Sequence, residues 1–270
     1  MMSKIINIIC KSLLIPKCMT KVRNWNIVLS YYFKEKRTKQ TIFLNDGTKC
    51  IIRNKNDTIA FLENFILEAN TSDKKFKINH KDIIVDIGAH VGYFTLFAAK
   101  KAAKGKVIAF EPSIESFSGF KENMKMNNFK NIMQEKTAIA KVKGKQTLYV
   151  NDEDAISNTI YKQNKNLNKE EVECISLQDI FEKYELKKID FLKMDCEGAE
   201  YEIIMNAKSS ILNKIQKIAM EIHEEIVPYR KEVIIENLKK HGFNVKLQRT
   251  ISGVKMELPL LLAWRQNNPE

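Results

Sequence analysis

Four short stretches carry side chains whose types and spacing could do chemistry. The first is Asp86-Ile87-Gly88-Ala89-His90-Val91-Gly92-Tyr93, a carboxylate followed by two glycines four apart. Gly88 permits a tight turn and Gly92 lets a following helix approach a ligand closely. No Gly-Lys-Ser/Thr follows, so this is not a P-loop, and the second and third glycines of a dinucleotide fingerprint are missing. Asp86 beside such a turn repels pyrophosphate but suits an ammonium group. The second stretch is Glu111-Pro112, and the third is Lys193-Met194-Asp195-Cys196-Glu197-Gly198-Ala199-Glu200. The fourth, Glu221-Ile222-His223-Glu224-Glu225, adds an imidazole to a further set of acids.

Glu111 follows Gly88 by roughly 20 residues, the spacing at which an acid accepts both hydroxyls of a ribose. A nucleoside with an amino-acid tail and no phosphate is S-adenosylmethionine (SAM). The residues expected to hold it are Asp86, Gly88, His90, Gly92, Tyr93, Glu111, Pro112, Ala138 and Asp195. Crowding Asp195, Glu197 and Glu200 into six residues is costly unless a cation or hydroxyl needs them. Asp195 and Glu197 point the same way if the strand continues, while Glu200 sits where a helix dipole favours an acid. The expected catalytic set is Asp195, Glu197, Glu221 and His223. Among these, Glu197 and His223 are the candidates for taking a proton, with His223 ahead because an imidazole needs the least tuning. Asp195 could instead hold substrate or, with Glu221, a divalent cation, but no metal is assigned. Lys193 is expected on the face opposite Asp195.

These stretches need elements to position them. From Lys81 onward, short apolar runs alternate with helical patterns: strands at 83–85, 107–110, 132–139, 189–194 and 218–222, and helices at 93–103, 114–126, 176–184, 199–206 and 231–240. Gln146–Val150 is expected to extend the sheet. The runs 243–247 and 258–263 close the chain as strands with no helix between them, which suits an antiparallel edge. Repeated β-α units with apolar strands imply a doubly wound α/β sheet, with ligands at the carboxyl ends of its strands. Asn151–Glu170 is polar and aperiodic, and is expected to be a long loop that closes over the acceptor. Residues 1–78 read as an N-terminal extension: an amphipathic start, a hairpin turning at Asn45-Asp46-Gly47-Thr48, and a helix over 58–67. Residues 79–270 form the main domain.

The composition is that of an ordinary globular chain of 270 residues, 44% hydrophobic and 29% charged. No apolar run is long enough to span a bilayer, and the first twenty residues lack a signal peptide's unbroken core. A cytoplasmic location is expected, with peripheral membrane contact through the N-terminal segment as an alternative. Five scattered cysteines form neither a disulfide framework nor a zinc site. The formal charge is +12, mostly scattered lysine without an Arg-rich run, so nucleic acid is disfavoured as a partner.

The Asp86–Tyr93 turn, Ala109-Phe110-Glu111-Pro112, the Lys193–Glu200 octapeptide and Glu221-Ile222-His223 together, in this order, resemble the FkbM-type SAM-dependent methyltransferases over roughly residues 81–225. The resemblance implies a class I methyltransferase fold, Rossmann-like, with a seven-stranded sheet and an antiparallel last strand. It also implies O-methylation of sugar or polyketide-like hydroxyls. The family usually has Asn where this chain has His90, a position implied to face the methionine part of SAM. The amine-methylating signature [DN]-P-P-[YF] is absent, which favours a hydroxyl acceptor on a glycan or small molecule. Two other readings remain: an RNA 2′-O-methyltransferase, and a SAM-binding protein without catalysis.

Overall fold

In the computed structural model, which describes residues 14–34, 36–151, 158–161, 167–249 and 259–266, one seven-stranded sheet carries the four stretches. Its parallel strands are β3 (Ile83–Ile87), β4 (Lys106–Phe110), β5 (Ile132–Glu135), β9 (Phe191–Met194) and β10 (Lys217–Glu221). Phe191–Met194 is buried throughout and β3 and β4 almost so, as expected of strands covered on both faces. The last two strands, β11 (Asn244–Arg249) and β12 (Pro259–Trp264), make the antiparallel edge. The strand order is β11-β12-β10-β9-β3-β4-β5, so β12 runs against both neighbours and β11 is outermost. Helices α3 (Tyr93–Lys101), α4 (Ile114–Lys125), α5 (Leu177–Lys183), α6 (Ala199–Asn206) and α8 (Lys231–Lys240) lie close to their expected spans. A short helix, α7 (Ser209–Leu212), was not expected.

The expected strand at 132–139 is broken. Its first part is β5, and its second part, β6 (Ala138–Ile139), pairs with β8 (Asn168–Ile175). With β7 (Gly144–Val150), these form a separate three-stranded sheet, so 146–150 does not extend the main one. The long loop therefore ends earlier than expected, because 168–170 already belong to β8. Residues 152–157 and 162–166 of it lie outside the described set. Thr159, however, forms an antiparallel bridge to Tyr149 and so rejoins the small sheet.

Before the sheet come a helical segment over 14–21, α1 (Trp25–Phe33), the hairpin β1 (Gln40–Phe43) and β2 (Lys49–Ile52), and α2 (Lys55–Phe61), which runs on into a π turn at Leu62–Ile66. Their apolar side chains, among them Val28, Ile42, Ile52, Phe61 and Phe65, share one core with Tyr93, Phe94, Phe97 and Phe191. The outer edge of β2 meets side chains rather than another strand. Asn123 Oδ1 accepts Ile51 N–H at 2.8 Å, and Asn127 exchanges hydrogen bonds with Lys49 N–H at 3.0 Å and Lys49 C=O at 2.8 Å. Asn123 Nδ2 also donates to Val91 O at 2.8 Å, linking the hairpin to the turn after β3. Residues 1–13, and with them most of the amphipathic start, lie outside the described residues. Among the described residues, no helix is long and apolar enough to cross a membrane.

Candidate active site

The carboxyl ends of β3, β4, β9 and β10 bring the four stretches together. Asp86 and Lys193 are partners in the parallel register of β3 and β9, which places their side chains side by side. Lys193 Nζ lies 3.3 Å from Asp86 Oδ1 and 3.6 Å from Asp195 Oδ2, and donates to Gly88 O at 2.7 Å. Burial opposes the lysine's charge, but Asp86 and then Asp195 hold its pKa above the usual range. This corrects one expectation: Lys193 shares a face with Asp195, since residues two apart in a strand point the same way. Asp86 is fully buried, receives Thr95 Oγ1 at 2.6 Å, and pairs with the chain's own lysine.

Gly88 is indispensable to this arrangement. Its φ is +76°, and a Cβ there would stand 1.7 Å from Asp195 O, so the turn after β3 packs directly on the end of β9. Gly88 and Ala89 both donate to Phe110 O, at 3.0 and 2.9 Å, which ties the same turn to β4. His90, at φ +51°, donates its backbone N–H to Glu111 Oε2 at 2.7 Å, and Ser113 N–H reaches Glu111 Oε1 at 3.0 Å. Glu111 is only 7% exposed, and burial pushes its carboxyl up to about 7 against the pull of those two amides. Burial lowers the His90 imidazole, and Asp57 and Arg53 of the N-terminal extension are among the charges that face it. Pro112 is half-buried beside Ser113, the N-cap of α4. Gly92, at φ +86°, starts α3 against the ring of Phe120.

Two expected ligand contacts are placed elsewhere. Tyr93 points into the core shared with the N-terminal extension, packs edge-on to Phe61 at 5.9 Å, and donates its hydroxyl to Ile51 O. Ala138 is buried in the small sheet's own cluster with Leu148, Val172 and Cys174.

The acids after β9 and the imidazole after β10 form one cluster. His223 is 1% exposed, with Nε2 3.6 Å from Glu197 Oε1 and 3.9 Å from Asp195 Oδ1, and Nδ1 3.3 Å from Glu200 Oε1. Burial alone would lower its pKa, but Glu200, Glu197 and Asp195 outweigh this and carry it well above 6.5. Glu197, at φ +51°, is raised to about 8, first by burial and then by Asp195, with His223 pulling the other way. Glu221, at the end of β10, is raised well above the carboxylate range by burial and by Asp195, and Glu63 of the extension adds to this. The Asp195 side chain is 32% exposed, more open than Glu197, Glu200 or His223. Thr159 Oγ1 donates to Glu197 O at 2.6 Å, so the end of the small sheet reaches the cluster. One ligand-type atom each from Asp195, Glu197 and His223 lies within 4.8 Å of the others, a spacing that could also hold a cation. Glu224 faces away and accepts Lys231 N–H at 2.7 Å.

Residues 86–245 match the model of the methyltransferase FkbM domain, more than half of the chain. The chain belongs to the FkbM methyltransferase family. As a member it is a methyltransferase, and S-adenosylmethionine is its cofactor. The residues present fit that ligand. Glu111 keeps carboxylate lone pairs for a ribose diol beyond those used by His90 and Ser113, and the turn offers no lysine free for a phosphate. This FkbM methyltransferase is 25% identical over 185 residues to Methyltransferase 1 of Beauveria bassiana, covering 62% of the chain and 74% of that protein. It is 26% identical over 176 residues to methyltransferase sdnD of Sordaria araneosa, covering 52% of the chain and 66% of that protein. A crystal structure of methyltransferase FkbM from Methylobacillus flagellatus overlays with a TM-score of 0.49 at 14% identity, covering 72% of this chain and 46% of that one.

The sequence reading missed Lys193 as the bridge between the turn and the catalytic acids. It also missed Glu63, Asp57 and Arg53, which the extension brings to the site. The i, i+2 spacing of Lys193 and Asp195 was the available signal for the first. Nothing local marks the others, since only the tertiary fold carries them there.

Proposed function

We propose that the protein transfers the SAM methyl group to a hydroxyl of a saccharide, glycolipid or other small hydroxylated metabolite. The observation that carries this reading is the buried acid–imidazole cluster at the ends of β9 and β10, next to the turn and Glu111. When bound, SAM supplies an electrophilic methyl on a sulfonium, and transfer is an in-line displacement that needs an aligned acceptor and a place for its proton. Glu111 and the backbone of the Gly88–Gly92 turn orient the nucleoside. Asp195, more open than Glu197 and Glu200, holds the acceptor in this reading. The proton acceptor is Glu197 rather than His223, because three carboxylates within 3.3–3.9 Å keep the imidazole charged. His223 then acts as the positive partner that keeps Glu197 ionisable, and the pair titrates as a unit.

Lys193 also weighs against RNA as acceptor. It is tied to Asp86, Gly88 and Asp195 beneath the turn, and the surrounding acids would repel a phosphate backbone.

The test is transfer of an isotope-labelled methyl group from SAM to panels of saccharides, glycolipids and small polyols, with tRNA and rRNA as a separate panel. A labelled methyl ether in the first panel is the expected result. Label confined to the RNA panel, or absent from both, overturns the reading.

A further inference from the structure

Glu200 occupies the first turn of α6, where an acid is often no more than a helix-start charge. Here it has no exposed surface. Its side chain folds back onto the loop before the helix: Oε1 accepts Cys196 N–H at 2.7 Å, and Oε2 accepts Gly198 N–H at 2.8 Å. Between those two amides stands Glu197, held at a left-handed φ of +51° that needs outside support in a residue with a side chain. The same Oε1 lies 3.3 Å from His223 Nδ1, a buried nitrogen with no hydrogen-bond partner among the described residues, so Glu200 is the acceptor within reach of it. A single carboxylate thus joins the loop after β9 to the imidazole after β10.

We propose that Glu200 is a positioning residue for methyl transfer, locking the Asp195–Gly198 loop with both oxygens and holding a proton on His223 Nδ1. With Nδ1–H turned toward Glu200, Nε2 is left facing Glu197 and Asp195, the two groups that approach it from the loop. Lys193 stands behind Asp195, and Glu221 at the end of β10 also interacts electrostatically with the ring. A carboxylate behind an imidazole fixes both its tautomer and its orientation. In catalytic terms this inference rests on the proposed methyl transfer, but its geometry is testable without an acceptor.

The experiment uses the full chain labelled with 15N at histidine, with the His223 signal assigned from a His223→Gln variant. In the wild-type chain, above the ring's own titration, Nδ1 of His223 should carry the proton. A bare Nδ1 there overturns the proposal, and this readout needs no variant at Glu200. In Glu200→Gln the tautomer balance should shift, and the Cys196 and Gly198 amides should exchange at least tenfold faster. SAM affinity by calorimetry should stay within twofold. An unchanged His223 signal in Glu200→Gln also overturns the proposal. With an acceptor from the panels above, kcat should fall at least tenfold at unchanged KM for SAM, and Glu200→Gln should add little to His223→Gln in the double variant. Because the NMR signature is independent of turnover, a chain that methylates nothing leaves this test intact while removing the functional reading.

Discussion

The turn after β3 and the cluster after β9 and β10 are neighbours built on opposite principles. In the turn, backbone groups do the holding: Gly88 and Ala89 donate to one carbonyl, and two amides grip Glu111 at 2.7 and 3.0 Å. In the cluster, charged side chains face one another across longer gaps: Glu197 and Asp195 stand 3.6 and 3.9 Å from His223 Nε2, beyond good hydrogen-bond range. A ligand site gains from rigidity, because the ordering cost is met before the ligand arrives. A proton-transfer site gains from groups whose charges are set by one another and can still change. On the proposed function, the difference separates binding from chemistry within a few ångströms.

The sharpest way to break this comparison is Gly88→Ala. The added methyl meets Asp195 O at 1.7 Å and the φ is +76°, so the turn and the end of β9 cannot both stay where they are. A loss of about 2–5 kcal/mol in chemical denaturation is expected, together with loss of SAM binding. A variant as stable as the wild type would show that the turn is softer than described.

Glu197→Gln comes next. It should lower kcat by ~10²–10⁴ while leaving SAM affinity nearly unchanged. His223→Gln should behave differently. Removing the positive partner raises Glu197 above its value of about 8, so the rise of kcat with pH should move to higher pH rather than disappear. A profile that keeps its limb in place would return the base role to a group outside the pair. Turnover lost on chelation and restored by a divalent ion would assign Asp195, Glu197 and His223 to a cation instead.

On the binding side, Glu111→Ala should cost about 1.5–3 kcal/mol of SAM affinity, roughly ten- to a hundredfold. Since ribose hydroxyls donate to the ionised carboxylate, wild-type affinity should tighten as pH rises through about 7. Calorimetry in buffers of different ionisation heat would detect the proton released. Unchanged affinity in the variant would remove Glu111 from the ribose role.

The smallest effect is on stability. Glu111 and Glu197 bind protons more tightly folded than unfolded, so their contribution is fully present below the ordinary carboxylate range. It is lost as pH rises through about 7 and about 8. Tm should therefore decline gently across that window, and less so in Glu111→Gln.

The regions differ in legibility too. The sheet and its helices could be read because buried parallel strands are unbroken apolar runs, and because Gly88, Glu111, Asp195 and His223 all fall at strand ends. Strand β8 could not, since Asn168–Ile175 buries only Val172 and Cys174 and otherwise exposes charge, which reads as loop. Lys193 was misplaced although its i, i+2 spacing puts it on the face of Asp195, whereas its other partner, Asp86, lies across a strand pairing that no local pattern reveals. The proposed ordering of Glu197 ahead of His223 rests on mutual distances, which no local pattern in the sequence carries.

Asn123 in α4 and Asn127 just beyond its end have a consequence for the chain among its own copies. A hairpin ending in an unpaired strand invites another strand to add to it. Asn123 and Asn127 offer side-chain amides to the same main-chain groups that an incoming strand would seek. The helix therefore serves as a guard rail, ending the hairpin's growth at two strands. Through Val91, this safeguard against sticking is fastened to the ligand turn, so solubility and binding share a fixture.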